Sequence, residues 1–249
     1  MGRVAGHRKT GTALSETVLA VLTHPDDCEI ACGGTLAKWV GEGRAVTIAV
    51  LTDGRRGSQN PMEDIEALIL TRRREQEAGA NLMGARDVRF FDYRDGELEN
   101  TPDVRRDVVR LIRELHPTIV ITVDPSAWFF GDEKFSYYNH RDHRMSGEIV
   151  LDAVAPAAGN PHFFPEHLAE GLKVWDVPEV WLAHTLEPNH TEDISGFVDV
   201  KLAALEAHRS QLTDDQLAFF KQWMPTAAAD AGKKIGVEAG EDYRVLRFG

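Results

Sequence analysis

Thr17-Val-Leu-Ala-Val-Leu-Thr-His-Pro-Asp-Asp-Cys-Glu29 is the stretch on which the reading of this chain turns. Five apolar residues, Val18 to Leu22, stand in a row and then give way to His24, Pro25, Asp26 and Asp27. A short run that is apolar on both faces fits a strand inside a parallel sheet. Pro25 has no N–H to give to a ladder, so the chain turns there. Residues 31–37, Ala-Cys-Gly-Gly-Thr-Leu-Ala, then open a helix, read over 33–42. One imidazole and two adjacent carboxylates thus arrive at the carboxyl end of a strand, where open α/β sheets hold their ligands. Adjacent carboxylates repel. A divalent cation would satisfy one and leave the other free as a base.

Outward from this stretch, strand and helix patterns alternate. Strands are read at 45–51, 88–91, 118–123 and 178–184, with a last edge strand around Val245 and Leu246. Helices are read at 63–83, from a Thr101-Pro102 cap to about Leu115, at 140–155 and at 199–211. An amphipathic segment surrounds Leu217 to Phe220, residues 160–175 fit no one pattern, and 126–139 reads as a loop rich in aromatic side chains. Repeated β-α-β predicts an α/β fold, a three-layer sandwich around a mostly parallel sheet. No linker or repeat interrupts it, so residues 16–249 read as a single domain behind a flexible N-terminal arm, 1–15.

The chain has 249 residues, 43% of them hydrophobic, and a net charge of -12. That charge argues against nucleic acid or an anionic membrane as the main partner, since both call for a basic face. No apolar stretch reaches the roughly 20 residues of a membrane span. The first residues lack the apolar core of a signal peptide, which points to the cytoplasm. Cys28 and Cys32 are the only cysteines and read as buried thiols at a helix start.

The chemistry gathers in two clusters, His24-Pro25-Asp26-Asp27 and His140-Arg141-Asp142-His143. Each follows a strand or its loop, so both can converge on one edge of the sheet. Two histidines and a carboxylate suit a catalytic zinc that keeps a position for water, and they suit Fe(II) equally. A plainer reading stands beside this one: an Asx-capped turn and a solvated first helical turn.

The motifs together resemble the LmbE-like/PIG-L family of metal-dependent N-acetylglucosaminyl deacetylases. The matching pieces are His24 to Asp27 with Glu29 and Gly33-Gly34-Thr35, Arg72 to Glu75, Asp92 to Leu98, Asn139 to His143 and, more weakly, Lys201 to Gln211. The resemblance implies a Rossmann-like fold and a mononuclear zinc hydrolase, with Fe2+ as the alternative metal. Its substrate would be a small N-acetylated sugar conjugate, and relatives that form trimers or hexamers suggest a homo-oligomer. It implies His24, Asp27 and His143 as metal ligands and Asp26 as general base on the water. His140 and Tyr138 would serve the oxyanion, and Asp142 would orient His140. Arg72 would meet sugar hydroxyls, Asp95 is a sugar contact or a turn residue, and Trp128 with the aromatic loop would form an apolar substrate wall. Arg141 stands where relatives often have proline, and the 124–140 loop is longer and more aromatic than in the thiol-pathway enzymes. Both departures bear on the substrate.

Three other functions compete. An amidase for a larger amide of a sugar or thiol conjugate would use the aromatic loop. A non-catalytic metal- or carbohydrate-binding protein would have no use for Asp26. A dinucleotide-binding protein would need G-x-G-x-x-G, which Cys32-Gly33-Gly34-Thr35 does not supply.

Overall fold

A computed structural model of the chain describes residues 16–131 and 136–248. The arm expected at 1–15 lies outside the described residues. The first half alternates as the pattern predicts. It runs β1 (Thr17–Leu22), α1 (Asp27–Gly41), β2 (Ala45–Thr52), α2 (Ile65–Leu82), β3 (Asp87–Tyr93), α3 (Pro102–Leu115) and β4 (Ile119–Val123). A two-stranded hairpin follows, β5 (Phe129–Gly131) and β6 (Ser136–Tyr138), and then α4 (Arg141–Asp152), which runs on into a π-helical segment, Ala153–Ala158. The rest is α5 (Pro165–Ala169), β7 (Glu179–Ala183), β8 (His190–Asp193), α6 (Val198–Glu206), α7 (Asp214–Lys233) and β9 (Gly240–Arg247).

Among the described residues, seven strands form the central sheet in the order β3-β2-β1-β4-β7-β9-β8. The first five are mutually parallel, and β9 runs antiparallel to both its neighbours. Side chains alternate across a strand, so one apolar run feeds two cores. Val18, Ala20 and Leu22 pack with α1 residues such as Cys32 and Leu36. Leu19 and Val21 pack on the other face with Val108 and Ile112 of α3 and Ile149 of α4. The expected three-layer sandwich is therefore the observed one. From β3 the chain crosses back past β1 to lay down β4, and the strand order reverses between those two. A crevice opens at such a reversal, outside the carboxyl ends of the strands.

Four elements differ from the sequence reading. α1 begins at Asp27, six residues before the expected start, because Asp26 at φ 109 turns the chain directly into the helix. Gly33 and Gly34, read as the opening, sit mid-helix, and a Cβ on Gly34 would lie 2.6 Å from Ile194 Cδ1. Within 126–139, aromatic residues pair across the hairpin as Phe129 with Tyr138 and Phe130 with Tyr137. Val245 and Leu246 belong to β9, which is internal; the edge is β8, whose His-Thr-Glu-Asp sequence carries no apolar signal. The helix read to Gln211 stops at Glu206, so His208 lies in the turns beyond it. Among the described residues no helix is long and apolar enough to cross a membrane.

Candidate active site

The turn after β1 and the start of α4 meet in the crevice. His24 Nδ1 lies 3.3 Å from His143 Nε2 and 3.2 Å from Asp27 Oδ2, and Asp27 Oδ1 lies 3.2 Å from His143 Nε2. Ligands about 2.0–2.1 Å from a tetrahedral zinc stand about 3.3 Å apart; the two ring nitrogens have that spacing, and a different oxygen of Asp27 stands beside each. The remaining ring nitrogens are also engaged. His24 Nε2 is 3.0 Å from Asp95 Oδ1, and His143 Nδ1 is 3.1 Å from Asn139 Oδ1. With those nitrogens donating, His24 Nδ1 and His143 Nε2 turn their lone pairs to the shared centre, as metal-binding histidines do. His140 is exposed, with a ring nitrogen close enough to those of His24 and His143 to join the group.

Electrostatics make the same point. Burial disfavours a charged His24, yet the hydrogen bonds and charges of Asp27 and Asp95 outweigh it and raise its pKa to about 10. Asp27 is also opposed by burial, but His143 and His24 hold it well below the usual carboxylate range. A centre this favourable to an imidazolium is favourable to a cation. Asp26 behaves differently. Burial, opposed by the Arg72 guanidinium and helped by the Asp27 charge, lifts its pKa to about 6. Burial and the charges of His24 and His143 lower that of His140.

These groups line a cleft of about 350 Å³ with Ile30, Arg56, Gly57, Arg72 and Tyr137. Arg72 is 3% exposed, and its guanidinium is committed to the Gly54 and Pro25 carbonyls, both at 2.7 Å, and to Asp26 Oδ2 at 3.1 Å. Asp95 is committed too, to His24 and to the Arg56 N–H. Asp142 is fully buried, and its carboxylate accepts from the Gly96 N–H at 2.6 Å, not from His140. The link to His140 runs instead from the Asp142 backbone N–H to His140 Nδ1. Asp142 therefore ties α4 to the loop that carries Asp95.

Trp128 and Tyr138 are not among the residues lining the cleft. Arg144 donates to the Tyr138 hydroxyl at 2.9 Å and stacks on the Trp128 ring at 3.6 Å. Adjacent strand residues face opposite ways, so Tyr137, the neighbour, takes the cleft side. Tyr137, Arg56 and Ile30 were given no role from the sequence, and Asn139 was matched only as part of the His140–His143 motif. Asn139 lies just before α4, and its approach to His143 Nδ1 comes from the loop ahead of the helix. A second cleft of about 320 Å³ beside β3 is lined by Arg73, Arg89 and Arg110, each already paired with a carboxylate.

The chain is similar to known deacetylases. The chain is 34% identical to diacetylchitobiose deacetylase from Thermococcus kodakarensis, over 92% of this chain and 82% of that one. It is 31% identical to a probable N-acetyl-alpha-D-glucosaminyl L-malate deacetylase 2 from Bacillus anthracis, over 78% and 80%. The inhibitor-bound N,N'-diacetylchitobiose deacetylase from Pyrococcus horikoshii superposes with a TM-score of 0.85 at 33% identity, covering 93% of this chain and 84% of that one. The family model described as PIG-L, GlcNAc-PI de-N-acetylase, matches residues 19–154, which run from β1 through the His140–His143 cluster and α4 into the start of the π-helical segment. With its sheet, its reversal point and its paired clusters matched in this order, the chain belongs to the PIG-L (LmbE-like) family of deacetylases.

Proposed function

We propose that this chain is a zinc-dependent hydrolase that removes the acetyl group from an N-acetylglucosamine-type conjugate, with Asp26 as the base on the attacking water. Residues 16–249 act as one catalytic domain in this reading, in the cytoplasm and as a homo-oligomer. The observation that carries it is the pairing of His24 Nδ1 and His143 Nε2 at 3.3 Å, with one Asp27 oxygen 3.2 Å from each and Asp26 adjacent in the chain. Relatives named for diacetylchitobiose and GlcNAc-malate deacetylation support the reaction class.

His24, Asp27 and His143 would hold Zn2+, or Fe2+ as the alternative that the same ligand set accepts. When bound, the cation supplies Lewis acidity, lowering the pKa of water and polarising the amide carbonyl. The chain's own residues do the rest. Arg72 holds Asp26 Oδ2, so Oδ1 receives the proton of the attacking water. A carboxylate with a pKa of about 6 is a better base than an ordinary aspartate and is still ionised at neutral pH. His140 accepts at Nδ1 from the Asp142 N–H, so its neutral ring carries the proton on Nε2 and can donate to the oxyanion. The protonated Asp26 returns its proton to the departing amine, and acetate and a free amino sugar are released. Arg56, at the cleft, meets Glu97 through Nη2 and would turn its other guanidinium N–H groups to sugar hydroxyls. Trp128, Phe129 and Tyr138 are each at least half exposed and favour a second reading, a larger amide whose aglycone spreads onto the hairpin.

Acetate release from N,N'-diacetylchitobiose, GlcNAc-malate, GlcNAc-inositol and a glycopeptide-type amide, with zinc or with chelator, tests this. Turnover should require the metal. Asp26→Asn should keep one zinc per chain and lose about 10²- to 10⁴-fold in rate. Release of acetate by that variant at the parent rate would remove Asp26 from its role.

A further inference from the structure

Asp26 sits at φ 109, a backbone region that residues other than glycine rarely occupy and that persists only where the surroundings impose it. One face of α2 imposes it here. The Asp26 N–H donates to Gln76 Oε1 at 2.9 Å, and the Pro25 carbonyl accepts from Arg72 Nη2 at 2.7 Å. Residues 72 and 76 are a helical turn apart, so neighbouring side chains grip both flanks of the turn. Gln76 is fully buried, and its Nε2 donates to Glu29 Oε1 at 2.7 Å, which decides which end of the amide faces Asp26. Glu29 is fully buried on α1, and its Oε2 stands 3.4 Å from Nε2 of His208, itself fully buried. Gly79 leaves room for this cluster: a Cβ there would come within 2.6 Å of Glu29 Oε1 and 3.2 Å of His208 Nε2. Three polar side chains without solvent are costly to bury. Of the three, only Gln76 contacts Asp26, and none lines the cleft.

We propose that Gln76 is a positioning residue for deacetylation, with Glu29 and His208 as the buried support that fixes its amide. It acts through Asp26, holding the backbone of the left-handed turn so that the carboxylate points at the water. This rests on the reading of Asp26 as the base. Arg72 cannot substitute, because it grips the preceding carbonyl and the carboxylate and leaves the Asp26 N–H without an acceptor.

The test compares the zinc-loaded parent with Asp26→Asn, Gln76→Leu, Gln76→Glu and the exchange variant Gln76→Glu/Glu29→Gln. Gln76→Leu keeps the bulk and loses the acceptor. Its kcat should fall about 100-fold, the effect of a displacement of about 1 Å at a reacting group, with KM and bound zinc unchanged. Its Asp26 amide should also exchange hydrogen faster than in the parent. Gln76→Glu sets two carboxylates face to face and should be equally slow. The exchange variant rebuilds both hydrogen bonds with carboxylate and amide swapped, and should return kcat to within about tenfold of the parent. A purely structural role would lower the unfolding temperature without separating kcat from KM, and the exchange would not restore it. A parent kcat in Gln76→Leu, zinc lost in step with kcat, or a folded and zinc-loaded exchange variant as slow as Gln76→Leu would each overturn the proposal. Where Gln76→Leu yields no folded protein, Gln76→Glu against the exchange variant makes the same comparison. A fast Asp26→Asn would mean that the base assignment has failed. A slow Asp26→Asn beside a fast Gln76→Leu would sink only the positioning role.

Discussion

At the scale of single residues, the site is a set of side chains whose second atoms are as constrained as their first. Asp95 and Asn139 each occupy the ring nitrogen that points away from the shared centre. Removing such a partner typically lowers metal affinity 10–100-fold. Asp95→Ala and Asn139→Ala are therefore expected to weaken zinc binding by about that factor, read by competition with a chromophoric chelator, and parent affinity in both would undo the argument. Much of this was legible in the chain. Ionisable groups directly after apolar runs stand out, and His24, Asp27 and His143 do come together. What was not legible depends on facing. Tyr137 and Tyr138 differ by one position in a three-residue strand, and only the hairpin register decides which one meets the cleft. The partner of Asp142, the Gly96 N–H, is 46 residues away and leaves no local trace.

At the scale of elements, α1 is held by a carboxylate from the far end of the sheet. Glu241 of β9 accepts from the Gly34 and Thr35 N–H groups, the Thr35 hydroxyl and the Lys201 ammonium. Burial alone would raise its pKa, but the Lys201 charge and the hydrogen bonds from Lys201 and Thr35 outweigh it and lower the pKa below 4.5. A lowered folded pKa stabilises the fold above the unfolded value and ceases to do so as pH falls through the folded one. Glu241→Gln should therefore cost about 3 kcal/mol at pH 7, since Lys201 is left buried without its partner. Urea melts between pH 7 and 3 should find that difference shrinking below pH 4.5, and a constant difference would contradict the ion pair. The same element explains two misreadings. Gly33-Gly34 looked like a helix opening, but Gly34 is small so that Ile194 and Glu241 can approach. β9 looked like an edge because β8, which covers it, has an all-polar sequence. The parallel strands β1, β2, β4 and β7, by contrast, are largely buried, and with the edge strand β3 they were read to within a residue or two at their ends.

At the scale of the whole molecule, the candidate ligands come from chain positions 119 residues apart, on opposite sides of the strand reversal. A cation held by His24, Asp27 and His143 would link the turn after β1 to α4. A ligand that binds only the folded state stabilises it by about 2.7 kcal/mol at a hundredfold excess over Kd. Zinc should accordingly raise the unfolding temperature of the parent by several degrees, chelator should reverse the shift, and His143→Ala should lose it. Calorimetry with an equal zinc shift in that variant would mean that the ion binds elsewhere. The overall architecture was readable because β-α-β alternation leaves few topologies open. The reversal of β9 was not, since antiparallel insertion is decided by partners rather than by the strand's own pattern.

That insertion has a bearing on biosynthesis. β9 lies between β7 and β8 yet is translated after both, so a nascent chain carries β7 with a bare hydrogen-bonding flank until residues 240–247 leave the ribosome. Until then Gly34, Thr35 and Lys201 also lack the carboxylate that draws them together. The parallel core can condense while translation proceeds, but the molecule cannot latch until its ninth strand slides home, and that interval is when it most needs a chaperone.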